Sequence, residues 1–237
     1  MKVIKSLSRK RNRHHNQQFV VEGYKSINEL IGAGLELVDA YVDSMHNQLA
    51  TDRAIMVSSR EMDAISQMTS PPGCLAVFKI PVTSDIDINA ASIVLDSISD
   101  PGNMGTIIRL ADWFGISQIV CSKHTVDLYN PKVVQASMGS LARVTVHYTD
   151  LDSFLKESPL PIFLADMEGT SIYEAPFATQ VNIVMGSESQ GLSDRVKKHG
   201  SIISIPQYGK TDTTESLNVA TATAIILAEW KRVATGT

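Results

Sequence analysis

The chain of 237 residues is poor in the features that mark several specialised protein classes. It has two cysteines, Cys74 and Cys121, each inside an apolar run (CLAVF and QIVC) and neither in CxxC spacing or beside a histidine pattern. That argues against a disulfide framework or a zinc site and predicts buried thiols in a reducing compartment. No metal is expected. No apolar run approaches the roughly 18 residues that a membrane span needs, and the basic N-terminus is not followed by the apolar stretch of a secretory signal. A cytoplasmic location is the expectation. Internal repeats, low-complexity tracts and the GxGxxG dinucleotide fingerprint are also missing.

What is present is an ordinary globular composition, 43% hydrophobic, with an uneven charge. The net charge is −4, yet residues 1–15 hold Lys2, Lys5, Arg9, Lys10, Arg11 and Arg13 and no acid. The remainder carries 15 basic against 25 acidic side chains. Such a split fits a basic arm that meets phosphate on a body kept soluble by its acids; a frayed, solvated terminus is the alternative.

Two organisational halves are legible. Residues 1–80 read as a small α/β unit: strand QFVVEG, a helix from Tyr24 to Ile31 stopped by Gly32 and Gly34, then strands LELVDAYV, RAIMVS and CLAVFKI. Residues 81–91 lack apolar periodicity and read as a linker. From Ser92 to the end, short apolar strands (SIVLD, SQIVCS, RVTVHY, PIFLAD, NIVMG, SIISIP) alternate with helices, including LSDRVKKHG and a long final one. That alternation predicts a mostly parallel α/β sheet with ligands at the carboxyl ends of its strands. Phe78, Trp113 and Phe114 read as core, and Tyr24 as an aromatic available to stack on a base.

Three strand-end loops can carry chemistry. The first, Asp100 to Arg109, is a glycine-rich turn opening a helix, with Asn103 and Arg109 in its first two turns. The second runs from Gly186 to Ser193. It has the GxxxxG spacing of a phosphate loop, but Leu192 stands where the lysine must be and Glu188 would repel phosphate. Glycines on both sides of a carboxylate suit close backbone approach to a ligand that is cationic or rich in hydroxyls. The third runs from Ile205-Pro206 to Ser216-Leu217-Asn218, with Ser216 read as the cap of the last helix. Each loop taken alone is also compatible with an ordinary capped helix or surface turn.

Together, in this order, the three loops resemble the SpoU (TrmH-like) branch of the SPOUT RNA methyltransferases. The resemblance covers Asn103-x-Gly105-x-x-x-Arg109, the helix segment from Asn130 to Ser140, Gly186-x-Glu188-x-x-Gly191, and Ile205-Pro206 followed by Ser216-Leu217-Asn218-Val219. QFVVEGYKSINELI resembles the start of an L30e-like substrate-binding domain. The stretch from Gln207 to Glu215 is a few residues longer than is usual. The resemblance implies a trefoil-knotted catalytic domain over 92–237, a homodimer, and methylation of a ribose 2′-hydroxyl in structured rRNA or tRNA. It implies S-adenosylmethionine as donor, held around Met185, Gly186, Gly191, Ile205, Pro206 and Leu217. It places Asn103, Arg109, Glu188, Ser216 and Asn218 around the reacting ribose. Arg109 is the family's catalytic arginine. A guanidinium stays protonated, so a clamp on the adjacent RNA phosphate is chemically safer for it than a general base. A non-catalytic RNA-binding factor and a nucleotide-binding enzyme with a variant phosphate loop stay open as rival readings.

Overall fold

The structure is a computed structural model describing residues 1–43, 48–209 and 216–236. The chain forms two compact units. The first comprises residues 1–82 together with 127–143, and the second comprises 83–126 with 144–237.

In the first unit, helices α1 (Lys2–Ser6) and α2 (Lys10–Asn16) precede β1 (Gln18–Glu22), α3 (Tyr24–Gly32), β2 (Leu37–Val42), β3 (Ala54–Met56), α4 (Ser59–Ile65) and β4 (Cys74–Lys79). The sheet order is β1-β4-β2-β3, with β4 antiparallel to both neighbours and β3 parallel to β2. Ile4 and Leu7 of the N-terminal segment are buried in one cluster with Val20, Met62, Ile65 and Leu75. The basic stretch is therefore neither a free arm nor a frayed end. It folds because an apolar pair at helical spacing gives it a face to bury. Arg13 is 3% exposed and donates to the Leu7 and Ser8 carbonyls and to the Asp127 carboxylate, so it is structural. Lys2, Lys5, Arg9, Lys10 and Arg11 stay exposed.

The second unit begins inside the expected linker. Ile86 and Ile88 pack on its core, and Gln118 exchanges two hydrogen bonds with the Asp87 backbone, both 3.0 Å. Val82, by contrast, is almost fully exposed. The elements that follow are β5 (Ser92–Asp96), α5 (Pro101–Trp113), β6 (Gln118–Ser122), α6 (Pro131–Ser137, part of the first unit), β7 (Thr145–Thr149), α7 (Leu151–Glu157), β8 (Ile162–Ser171), β9 (Asn182–Gly186), β10 (Ser201–Ser204) and α8 (Val219–Thr235).

The six-stranded sheet has the order β10-β8-β9-β5-β6-β7, and every pairing is parallel. β5 and β6 are buried along their whole length, as a sheet covered on both faces requires. The chain leaves β5 toward β6 and β7 in one direction, while β9 and β8 lie on its other side. The switch point of the topology therefore falls between β5 and β9, where a strand-end crevice forms.

Two local readings are corrected. LSDRVKKHG does not form an α-helix; only Val196–Lys198 makes a 3₁₀ turn. Trp113 is not core: it ends α5 at 84% exposure. Phe78 is fully buried, and Phe114 is half-buried. Both cysteines are buried thiols, and desolvation pushes Cys74 up to about 11.

Candidate active site

Asp96 and Gly186 are register partners at the ends of β5 and β9, so the first and second loops leave the sheet side by side. Asp100 caps α5 by accepting the Asn103 N–H at 2.8 Å, and Pro101 occupies the first turn, where its missing N–H costs nothing. This sets Asn103 on the inner side of the helix start. Its amide donates to the Glu188 carboxylate from the second loop.

The second loop is a closed five-residue turn. The Ser187 and Gly191 backbones exchange hydrogen bonds of 3.1 and 2.8 Å, and the Gln190 N–H goes to the Ser187 hydroxyl at 3.2 Å. These amides are spent inside the turn, which counts further against a phosphate cradle. Gly186 is required by the chain itself. A Cβ there would lie 2.4 Å from the Gly191 carbonyl carbon and 2.6 Å from the Leu192 nitrogen. Behind the turn, the buried Asp96 carboxylate accepts the Ser193 N–H at 2.9 Å and fixes where the turn ends.

The third loop delivers α8. Its cap is Asn218, not Ser216: the Asn218 side-chain Oδ1 accepts the Ala220 and Thr221 N–H groups at 3.0 and 3.2 Å. The same side chain then donates through Nδ2 to the Asn103 side-chain Oδ1 at 2.8 Å. Asn218, Asn103 and Glu188 thus form one directional chain ending on a carboxylate. Its polarity leaves one amide N–H on each asparagine available beyond the chain. Ser216 is exposed on the same loop. Arg109 is exposed on α5, two helical turns from the cap, and its side chain makes no hydrogen bond or ion pair among the described residues. The extra length after Pro206 falls largely on residues 210–215, outside the described residues.

Beside this chain lies a cavity of about 540 Å³, within the ~300–1,000 Å³ typical of small-molecule clefts. All six residues expected to hold the donor, Met185, Gly186, Gly191, Ile205, Pro206 and Leu217, line it. Glu188 and Ser216 do as well, whereas Asn103, Arg109 and Asn218 stand outside the lining. Val219 of the third motif lines it too, and Ile203 and Ile226 contribute apolar surface that the motifs do not mark. Asp166, the last residue of the predicted strand PIFLAD, is also outside the motifs; the strand-end rule applied to that segment would have found it. Burial pushes the Asp166 carboxyl up, but hydrogen bonds from Lys197 and the Met167 N–H, with the Lys197 charge, bring it below its ordinary value.

The lining suits S-adenosylmethionine chemically. The walls are largely apolar, the backbone closes tightly at Gly186, two carboxylates are present, and no cationic side chain appears among the described lining residues. A polyphosphate would be repelled there, whereas a nucleoside bearing a positive sulfur is accommodated.

Comparison with known proteins agrees with this arrangement. Residues 90–228 match the SpoU rRNA Methylase family, and residues 1–76 match the MRM3-like substrate binding domain. The chain is 27% identical to the 23S rRNA (guanosine(2553)-2′-O)-methyltransferase RlmP of Bacillus subtilis, over 96% of this chain and 94% of that protein. A TrmH-family putative RNA methyltransferase structure from Porphyromonas gingivalis superposes with a TM-score of 0.88 at 34% identity, covering 98% of this chain and 97% of that one. An AdoMet-bound rRNA methyltransferase from Sinorhizobium meliloti superposes at 0.85 with 25% identity, covering 98% and 94%. With the matching family spanning more than half its length, the chain belongs to the SpoU rRNA methylase family.

Proposed function

We infer that this chain is an S-adenosylmethionine-dependent RNA methyltransferase acting on a ribose 2′-hydroxyl in rRNA or tRNA. The observation that carries the reading is the chain from Asn218 through Asn103 to Glu188 along the edge of an apolar pocket with no cation among its described lining residues. When bound, S-adenosylmethionine supplies an electrophilic methyl group. The protein supplies position, which alone contributes up to roughly 7–11 kcal/mol in well-oriented sites.

In this proposal Met185, Gly186, Gly191, Ile205, Pro206 and Leu217 hold the donor. The free amide N–H groups of Asn103 and Asn218, together with the Ser216 hydroxyl, orient the ribose. Glu188 fixes the direction of the amide chain. Arg109 is unpaired among the described residues and open to solvent, so it is available to grip the adjacent phosphate and to favour the developing alkoxide by its field.

The broader assignments belong to the same proposal. The unit built on residues 1–82 binds RNA, and the unit built on 83–126 and 144–237 catalyses within a trefoil-knotted domain, a threading supported by the family match. The exposed Trp113 supports burial against a second copy in a homodimer. No helix among the described residues is long and apolar enough to cross a membrane, which is compatible with work on RNA in the cytoplasm.

Arg109→Ala tests the central assignment. Methyl transfer to RNA should fall by at least about 10²-fold, the scale of losing a donor aimed at the transition state. Donor affinity by calorimetry should stay within about twofold, since Arg109 lies outside the pocket lining. Wild-type turnover in the variant would remove Arg109 from the site. Failure of the unaltered protein to bind S-adenosylmethionine would sink the reading as a whole.

A further inference from the structure

Among the described residues, the pocket carries two charged side chains, Glu188 and Asp166. Glu188 is engaged by Asn103 on the ribose side. Asp166 lines the pocket from β8, the strand beside β9, and its placement comes from an irregularity in β8. There Leu164 pairs with Ile202 of β10, but the next β10 residue, Ile203, pairs with Thr170. Residues Ala165 to Gly169 therefore bulge out of register, and the Ser204 hydroxyl pins the bulge by donating to the Gly169 carbonyl at 3.0 Å. Bulges of this kind re-aim side chains beside functional sites. Here one brings Asp166 to the pocket wall. One carboxylate oxygen accepts the Met167 N–H at 2.7 Å, and the other receives the Lys197 ammonium at 3.0 Å. Lys197 itself does not line the pocket. A carboxylate thus contributes to the wall while its counter-ion is kept off the lining.

We propose that Asp166 is a specificity-determining residue that makes the pocket favour the cationic methyl donor over its demethylated product. This rests on the methyltransferase reading above. S-Adenosylmethionine and S-adenosylhomocysteine share the adenosine and the amino-acid head, and differ by one methyl group and the sulfonium charge. A single methyl group is a poor handle for discrimination in an apolar pocket, worth about 10- to 200-fold at best. The charge offers a second handle. A fixed carboxylate in a partly desolvated cleft attracts the sulfonium and has no such hold on the neutral thioether. When the methyl carbon bonds to the ribose oxygen, the C–S electron pair stays on sulfur and the hydroxyl proton passes to solvent. The ligand then loses the charge that Asp166 favours, so transfer itself loosens the spent donor. Lys197 moderates the effect by partly neutralising the carboxylate.

The test is calorimetric titration of the full chain with S-adenosylmethionine and, separately, S-adenosylhomocysteine, at low salt, without RNA. Asp166→Asn keeps an acceptor for the Met167 N–H and removes the charge. It should weaken S-adenosylmethionine binding by roughly three- to tenfold and leave S-adenosylhomocysteine within about twofold. Lys197→Met should move the ratio the other way. Equal weakening of both ligands would place the carboxylate on a group they share and overturn the proposal, as would no change in either. A wild-type protein binding neither ligand would instead overturn the donor reading. Should Asp166→Asn fail to unfold cooperatively, the Lys197→Met arm, at a half-exposed side chain, decides alone: no shift in the ratio rejects the proposal.

Discussion

At Gly186 a single added methyl group would sit 2.4 Å from the Gly191 carbonyl carbon, with backbone atoms of Gly191 and Leu192 closing the approach. Relaxation there means opening the turn that holds Glu188. Gly186→Ala should therefore cost about 1–3 kcal/mol, the range for overpacking, and impair donor binding; thermal unfolding and calorimetry read the two effects. Gly32→Ala is the control. It lies in α3 with open space around a Cβ and should be neutral or stabilising by up to about 1 kcal/mol. Asn218 combines two tasks that substitution can separate. Asn218→Ala loses both the cap and the bond to Asn103, and should cost about 0.5–2 kcal/mol in unfolding experiments. Asn218→Asp keeps the cap but has no N–H to donate. It should retain stability and lose transfer rate by at least about three- to tenfold. At this scale the sequence is readable in kind but not in role. Ser216 and Asn218 are both good caps, and only the backbone path after Leu217 decides between them. Trp113 reads as core from its neighbours Phe114 and Ala111, yet the helix rotates it outward.

Among the elements, the strands are legible because buried parallel strands are short continuous apolar runs, and SIVLD, SQIVCS and NIVMG are such runs. The segment 192–200 mimics a helix because its apolar residues Leu192 and Val196 have the right spacing, while the turn before it and the short distance to β10 leave no room to propagate. The β8 bulge is invisible in sequence: a register shift depends on the partner strand, and no single-strand pattern reports it. Helices α1 and α2 are hidden by their charge. Their anchor is the buried Arg13–Asp127 pair, which has side-chain exposures of 3% and 11%. Breaking such a pair from one side leaves an uncompensated buried charge, so Asp127→Ala should cost about 3–5 kcal/mol in denaturant unfolding. A loss below about 1 kcal/mol would mean that water reaches Arg13 and that the N-terminal helices are held by Ile4 and Leu7 alone.

For the whole molecule, the charge split survives folding in altered form. Of the six basic residues in the first fifteen, Arg13 is consumed internally, and the other five remain exposed. Deleting the segment would remove core residues along with charge, so neutralisation is the cleaner experiment. Replacing Lys2, Lys5, Lys10 and Arg11 by Gln should weaken RNA binding with little change in unfolding temperature. Its salt dependence should flatten by about 0.7–0.9 in log–log slope for each phosphate no longer neutralised. An unchanged slope would turn attention to other basic surfaces. Fold class is readable at this scale because alternation of strands and helices is a global pattern. The membership of residues 127–143 in the first unit is not, since nothing in their periodicity says which sheet they cover.

That membership bears on how the protein is made. Asp127 neutralises Arg13, and Tyr129 stacks within 4.5 Å of Phe19, so the N-terminal unit lacks two of its partners until synthesis has passed the second strand of the other sheet. At ~5–20 residues per second, the nascent first unit waits several seconds for those groups. A fragment ending near residue 82 would emerge as an unfinished fold with a buried cation and no counter-ion, and the two units are therefore expected to mature together rather than one after the other.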